Sequence, residues 1–337
     1  MKAYNLHAVN DLRYEDVNMP ECPSGWAIIQ VKAAGICSSD VPRIFTKGTY
    51  HFPTIPGHEF SGVVYSVADD VNEKWIKKRV GIFPLIPCRE CQSCAEKHYE
   101  MCENYDYIGS RRDGAFAEYV AVPIWNLVEL PDNVPFEVAA MMEPFAVALH
   151  ALKMGDIKPG MTVGIIGTGM IGIAAGQWAK KFGAKQITVI GRSEDKRGMV
   201  ENCHLAYTVC TDSEKVDEFD FVLEAVGTPN AIELAISATK RGGQLVLMGN
   251  PSGDISIKQS VYWKILRKQL HVAGTWNSSY DGFNSSDWTD VVSSLSNNEI
   301  EAESLITHKF SQDQLHDGLD LMKRHNKPYC KVMTIWK

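Results

Sequence analysis

The chain has no block of Lys or Arg, no internal repeat and no low-complexity segment. Its 34 basic residues are outnumbered by 41 acidic ones, for a formal net charge of −7. A surface of that sign repels a phosphate backbone and argues against a nucleic-acid partner. The opening stretch, MKAYNLHAVNDLRYEDV, has no apolar core of the kind a secretory signal carries. Residues 161–179, MTVGIIGTGMIGIAAGQWA, approach the length of a membrane span, but glycines interrupt them at 164, 167, 169, 172 and 176. That pattern suits a strand, a tight turn and a helix better than a helix facing lipid. A cytoplasmic protein with no membrane partner is expected.

At 337 residues the chain is too long for one ordinary core, so two domains are expected. Its 45% hydrophobic and 22% charged residues are a globular composition. Nine cysteines without a signal peptide point to a reducing compartment, where clustered thiols bind metal more often than they pair. Five of the nine fall in two places with chemical promise. Cys22, Cys203, Cys210 and Cys330 are scattered and suit small buried or neutral positions.

Residues 1–145 carry short β-type runs broken by Gly and Pro: WAIIQVKAAGI, FSGVVYSV, RVGIFPLI and FAEYVAV. Residues 135–155, PFEVAAMMEPFAVALHALKMG, have helical spacing. Strands and helices then alternate. MTVGIIG, QITVIG, DFVLEAVG, GQLVLMG and LHVAGTW are the expected strands, with helices over GMIGIAAGQWAKKFG and NAIELAISATK. That alternation predicts a doubly wound parallel sheet with nucleotide at the carboxyl ends of its strands. After about residue 276 it fades into two helices, DWTDVVSSLSNNEI and SQDQLHDGLDLMKRH. The last strand, CKVMTIW, has no partner left in the nucleotide sheet and is expected to return to the first domain.

Cys88, Cys91, Cys94 and Cys102 are spaced C-x2-C-x2-C-x7-C. Four thiolates this close can wrap one tetrahedral zinc, whose S4 shell leaves no place for substrate, so a structural role is expected. An iron–sulfur cluster also tolerates two-residue spacings, although the Pro that usually follows the last Cys is absent. A zinc module for nucleic acid suits an acidic chain poorly, and no basic helix follows. The second constellation is dispersed: Cys37, Ser39 and Asp40 in GICSSD, His58 and Glu59 in PGHEFSG, and Glu143 in MMEPFAV. A catalytic zinc needs three protein ligands and one open position, which Cys37, His58 and a carboxylate would provide. Asp40 is of the right type to accept the other ring proton of His58.

GTGMIG resembles the phosphate turn of a dinucleotide site, with Gly167, Gly169, Met170, Ile171 and Gly172 facing the cofactor. The acid that usually holds the adenosine ribose is missing. About 20 residues on, its place is taken by Gly191, followed by Arg192 and Ser193. An acid there would repel a 2′-phosphate, whereas Arg192 and Ser193 can donate to one, with Lys196 and Arg197 adding positive charge. NADP(H) is therefore expected over NAD(H). The alternative is that Glu194 does the acid's work from a shifted loop.

In this order, GICSSD, GHEFSG, the four-Cys loop, the EP helix and GTGMIG resemble the zinc-dependent medium-chain alcohol dehydrogenases over nearly the whole chain. SSDVPRIF, PLIPC, YIGSRRDGAFAEY and KILRKQL narrow the resemblance to the galactitol-1-phosphate 5-dehydrogenases and related polyol dehydrogenases. The resemblance implies an α/β protein with a GroES-like β-barrel catalytic domain over 1–147 and 277–337 and a Rossmann domain over 148–276. It implies two zinc ions per chain. Cys37, His58 and Glu143 would ligate the catalytic one, with Glu59 as alternate or water-linked ligand. Ser39 matches the hydroxyl that accepts the alcohol proton, but Pro42 stands where many relatives continue the relay with a His, leaving His51 or water. The implied reaction interconverts a secondary alcohol of a polyol or polyol phosphate and its ketose by hydride transfer with NAD(P). Pentulose-5-phosphate reduction and sorbitol-type oxidation are the alternatives within the family. Arg43, Arg111 and Arg112 are candidates for a substrate phosphate. A homodimer or homotetramer is expected. Outside the family, a dinucleotide-binding redox sensor would keep GTGMIG but have no use for an open zinc site.

Overall fold

In a computed structural model the protein is described over residues 1–212, 215–282, 286–324 and 327–337. The chain divides into two compact units. The first holds Met1–Glu143, Ser279–Asn298 and Ala302–Lys337, and the second holds Pro144–Ser278 and Glu299–Glu301.

The first unit is built on a seven-stranded sheet. Its path runs Ile306–Ser311, Lys331–Ile335, Trp26–Ile36, Glu59–Val67, Arg79–Ile82 and Leu127–Glu129, with Tyr119–Pro123 also paired to Trp26–Ile36. The eleven residues of WAIIQVKAAGI make its longest strand, and apolar side chains from it and its neighbours, among them Ile29, Phe60, Val64 and Phe116, form one core. The tail strand returns here as expected, antiparallel to Trp26–Ile36. RVGIFPLI is not one strand but two, Arg79–Ile82 and Leu85–Ile86, parted at Phe83 and Pro84. A proline cannot donate to a ladder, so the run breaks where Pro84 falls.

The second unit is a six-stranded sheet, parallel throughout. Its order is Ala206–Val209, Gln186–Gly191, Thr162–Ile166, Phe219–Glu224, Thr239–Leu247 and His271–Gly274. Thr162–Ile166 is buried along its whole length, as a strand covered on both faces must be. From it the chain winds outward to one edge, then returns to the other side at Phe219. That reversal puts the switch point of the sheet at the carboxyl end of Thr162–Ile166, where open α/β sheets take their ligands. The helical stretch 135–155 is two helices, Phe136–Ala139 and Met142–Met154. The edge strand Ala206–Val209 and the helices Arg197–Asn202 and Gln259–Lys268 were not anticipated. The first two are too short for a period to declare itself. The last fully buries only Val261, with Ile265 packed beside it and Tyr262, Trp263 and Leu266 exposed. Among the described residues, no helix is long and apolar enough to cross a membrane.

Candidate active site

Three strand ends build the first cluster. Strand Trp26–Ile36 runs out into Cys37, and strand Glu59–Val67 begins directly after His58, with Glu59 opposite Gly35. The tail strand lies on the other side with Val332 opposite Ile36, which brings Lys331 to the Cys37 end. Cys37, His58 and Glu59 thereby present ligand atoms that all lie within 4.8 Å of one another.

The surroundings are almost wholly buried. Asp40 is 0% exposed, accepts from the Cys37 N–H at 3.0 Å and from Arg43 Nη1 at 2.7 Å, and sets Oδ1 3.6 Å from His58 Nδ1. That separation is too long for a hydrogen bond, and Nδ1 has no other partner. Burial alone would lower the His58 pKa, but the Asp40 carboxylate, with Cys37 beside it, outweighs burial and raises it well above the ordinary value. The ring of Tyr107 meets His58 edge-on at 5.7 Å, and its hydroxyl donates to Glu143 Oε1 at 3.4 Å. Glu143 stands at the start of helix Met142–Met154. Burial pushes its pKa up to about 7, and the charge of Glu59 adds to the shift. Glu59 itself is ion-paired with Lys331 Nζ, both side chains being buried. Ser39 is exposed at the head of the short helical turn Asp40–Pro42.

Asp40 is matched to Arg43 and Glu59 to Lys331, while His58 Nδ1 has no hydrogen-bond partner. Burial disfavours the charged form of Glu143, and a divalent cation beside it would offset that cost. Thiolate, imidazole and carboxylate together form a donor set that suits zinc. The cluster fits the metal.

The second thiol cluster is local. Cys88, Cys91, Cys94 and Cys102 also place their sulfurs within 4.8 Å of one another, around the short helix Gln92–Ala95. Two of the Sγ–Sγ separations, Cys88–Cys94 and Cys91–Cys102, are 4.0 Å. A tetrahedron with Zn–S arms of 2.3 Å has edges of roughly 3.8 Å, so the cage is already close to size. The backbone N–H groups of Glu90 and Cys91 point at Cys88 and hold its thiol down at about 6, whereas burial drives Cys94 up to about 12.

In the second unit, the turn after Thr162–Ile166 has the geometry of a phosphate cradle. Gly167 has φ +121° and donates its N–H to Ile190 O at 3.0 Å. Gly169 caps helix Met170–Lys181 and has open space where a Cβ would stand, while a Cβ on Gly172 would strike Gly167 O. Met170 and Ile171 form the first turn. The bare helix N-terminus above Gly169 is open to a pyrophosphate, and the cradle fits a dinucleotide.

Gly191 closes the next strand, and the space above it is not empty. A Cβ there would meet the Tyr207 hydroxyl and, at 2.9 Å, Thr168 Cγ2. Tyr207 uses that space to donate to Ser193 O. The missing acid thus has a packing cause that the sequence did not reveal. Arg197 donates to both oxygens of Glu194, at 2.6 and 3.1 Å, and to Glu201 Oε1 at 3.0 Å. Ser193 Oγ donates to Asp195 at 3.0 Å. Arg192 is exposed, and no ion pair engages it among the described residues.

The three candidate substrate arginines separate clearly. Arg43 is committed to Asp40, and Arg112 pairs with Asp106 at 2.8 Å while lying over the Trp26 ring. Arg111 has no carboxylate partner among the described residues and is stacked on Tyr50 and Tyr105. His51 braces the same turn, with Nε2 3.1 Å from Arg111 O and Nδ1 3.0 Å from Thr54 Oγ1. Lys331 and Tyr107 are the residues that sequence reasoning missed. A lysine inside the apolar run CKVMTIW was the available signal for the first, since a buried ammonium requires a carboxylate.

Comparison with known proteins bears on both units. Residues 23–132 match the alcohol dehydrogenase GroES-like domain, and residues 171–297 match the zinc-binding dehydrogenase domain. The galactitol 1-phosphate 5-dehydrogenase of Escherichia coli K12 is 33% identical over 317 residues, covering 91% of each chain. The crystal structure of galactitol-1-phosphate dehydrogenase from Escherichia coli superposes with a TM-score of 0.92 at 32% identity, covering 99% of this chain and 100% of that one. A zinc-binding dehydrogenase from Sinorhizobium meliloti 1021 bound to NADP does so with a TM-score of 0.87 at 27% identity, covering 99% and 98%. With both domain matches in sequence and a one-third-identical relative spanning nine-tenths of it, the chain belongs to the zinc-dependent alcohol dehydrogenase family and is an oxidoreductase.

Proposed function

We propose that the protein interconverts a secondary alcohol of a polyol phosphate, of the galactitol 1-phosphate kind, and the corresponding ketose phosphate, with NADP(H) favoured over NAD(H). The observation that carries the reaction type is the converging set of half-buried Cys37 and buried His58 and Glu59, with the buried carboxyl of Glu143 linked to it through Tyr107. Zinc held there supplies Lewis acidity toward the reacting hydroxyl, and the four-Cys loop holds a second, structural zinc. Asp40 orients His58, and Lys331 holds Glu59. In the oxidative direction Ser39 Oγ receives the hydroxyl proton, and in the reductive direction it returns that proton. The second unit binds the nicotinamide cofactor, whose pyrophosphate lies on the turn Gly167–Gly172, with Met170 and Ile171 in its first helical turn. The 33% identical relative that acts on galactitol 1-phosphate supports the substrate class.

The cofactor preference rests on Arg192. Glu194, the alternative acid for the ribose, has both oxygens occupied by Arg197. The same bonds withdraw Arg197, whereas Arg192 is exposed and can meet a 2′-phosphate. The NADP-bound relative supports this reading. Arg192→Ala is expected to lower the NADP/NAD ratio of kcat/KM by about 10-fold or more, the usual worth of a charge-assisted hydrogen bond. An unchanged ratio removes the 2′-phosphate role. A panel of polyols, polyol phosphates and ketose phosphates against both cofactors tests the substrate class.

A homodimer is the proposed assembly. Strand His271–Gly274 lies at the edge of its sheet, and Val272, Trp276, Trp263 and Leu266 are exposed on and near it. An apolar sheet edge of this kind is covered in a stable protein, and light scattering would show a monomer if this one is not.

A further inference from the structure

Tyr107 and Arg111 lie on one tight turn. The N–H groups of Arg111 and Arg112 both donate to Tyr107 O, at 3.0 and 3.2 Å. Tyr107 turns its ring toward His58, at the metal cluster, and Arg111 leaves the turn a few residues later. The turn is fixed from outside by two side chains of the preceding loop. Thr49 Oγ1 donates to Ser110 O at 2.5 Å, and His51 Nε2 lies 3.1 Å from Arg111 O.

The Arg111 guanidinium is fixed as firmly as its backbone. It lies 4.5 Å from the Tyr50 ring centroid and 4.2 Å from that of Tyr105. Nη1 donates to Tyr105 O at 2.7 Å, and Nη2 is 3.5 Å from the Tyr50 hydroxyl. Arginine has five N–H donors, so three remain unused. One of them, on Nε, is sheltered from solvent and has no partner. Aromatic faces stabilise a cation without consuming its N–H edge or cancelling its charge. The result is a preorganised positive fork, with a phenol hydroxyl beside it, on the turn that packs against the metal ligands. Arg43 and Arg112, equally near in sequence, are each neutralised by an aspartate.

We propose that Arg111, clamped between Tyr50 and Tyr105, anchors the phosphate monoester of the substrate, with the Tyr50 hydroxyl as a second donor. The proposal rests on the polyol-phosphate reading and gives that reading a place in the fold. A planar fork matches phosphate oxygens two at a time, which a lysine cannot do. A phosphate several carbons from the reacting hydroxyl would span from this turn to the metal cluster. Discrimination for phosphorylated over plain polyols then comes from one side chain, apart from the residues that hold the metal. A phosphate of the dinucleotide offers the same chemistry, and the experiment must separate the two sources.

The test uses the full-length zinc-loaded enzyme, galactitol 1-phosphate and galactitol as substrates, and inorganic phosphate as inhibitor. In Arg111→Met, kcat/KM for galactitol 1-phosphate is expected to fall about 10–100-fold, mostly through KM, and its ratio to that for galactitol falls with it. Arg111→Lys should recover part of the loss, which a general folding defect would not. Competitive inhibition of galactitol oxidation by inorganic phosphate should weaken in step. An unchanged substrate ratio together with unchanged phosphate inhibition overturns the anchor. So does a loss that appears in the KM of the cofactor instead, which would assign Arg111 to the dinucleotide. If the wild type handles galactitol as well as its phosphate, the polyol-phosphate reading falls and the anchor with it, and loss of phosphate inhibition in Arg111→Met would then show only that Arg111 binds an anion.

Discussion

The four-Cys loop and the Cys37 cluster each gather metal-binding side chains, but over very different reaches of chain. The loop collects its sulfurs from residues 88 to 102, a stretch that closes on itself around a single helical turn. The Cys37 cluster draws on residues 37, 40, 58, 59, 143 and 331, gathered from the ends of three strands, a short helical turn and the start of a helix. A local cage needs little support from the rest of the fold. A dispersed one inherits its geometry from strand register, and its charges must be balanced by residues far along the chain. The contrast predicts that damage to the loop is felt as stability and damage to the cluster as chemistry.

The sharpest way to break that contrast is a pair of cysteine substitutions. Cys37→Ala removes a metal ligand where the reaction is expected. Lewis-acid stabilisation is worth several kcal/mol, so kcat should fall by at least about 10³-fold while the thermal midpoint stays near that of the wild type. Cys91→Ala should do the reverse. Its thermal midpoint drops, residues 88–102 become a protease target, and activity declines only with the folded fraction. If both variants lose activity at unchanged stability, the division of labour between the clusters is wrong.

How far each cluster could be read from the sequence follows from the same difference. The spacing of Cys88, Cys91, Cys94 and Cys102 is itself a geometric statement, and the structure adds only the cage size. Cys37, His58 and Glu143 were proposed as ligands by type and by resemblance, and the structure instead brings Cys37 and His58 together with Glu59, a convergence that depends on register, which no local pattern encodes. Lys331 is the clearest loss. It faces Glu59 only because the tail strand crosses to the Cys37 end, and the tail could be placed in the first unit without its register being known. Gly191 shows a converse loss. The space a side chain would need there is filled by Tyr207, a residue of the edge strand Ala206–Val209 that the sequence did not announce.

Lys331 gives the next largest effect, because it tests whether the dispersed cluster depends on a remote charge. Lys331→Met strands Glu59 as a buried carboxylate with no cation. Breaking a buried pair in this way costs about 3–5 kcal/mol. The metal-free protein should therefore melt well below the wild type, and zinc should restore more stability to the variant than to the wild type, since Glu59 becomes free to ligate it. Lys331→Arg keeps the charge and should keep most of the stability. Calorimetry with and without zinc measures both terms, and an equal zinc effect in the two proteins would show that Lys331 does not govern Glu59.

The smallest of the expected effects concerns Asp40, which touches the cluster without being among its closest ligand groups. Its carboxylate receives the Cys37 N–H and Arg43 and lies 3.6 Å from His58 Nδ1. When His58 gives a nitrogen to the metal, the imidazolium charge is gone, and Asp40 can close the remaining gap to accept the Nδ1 proton. Partners of this kind fix the tautomer and the ring angle, and losing one typically costs 10–100-fold in metal affinity. Asp40→Asn retains the shape and the contact with Cys37 but removes the charge that favours a proton on Nδ1. Zinc affinity at the Cys37 cluster is expected to weaken by roughly that factor, while zinc in the four-Cys loop holds as before. A competitive chelator titration resolves the two metals. Equal weakening at both would mean that Asp40 supports the fold of the whole unit, and the local loop would then be no more independent than the dispersed cluster.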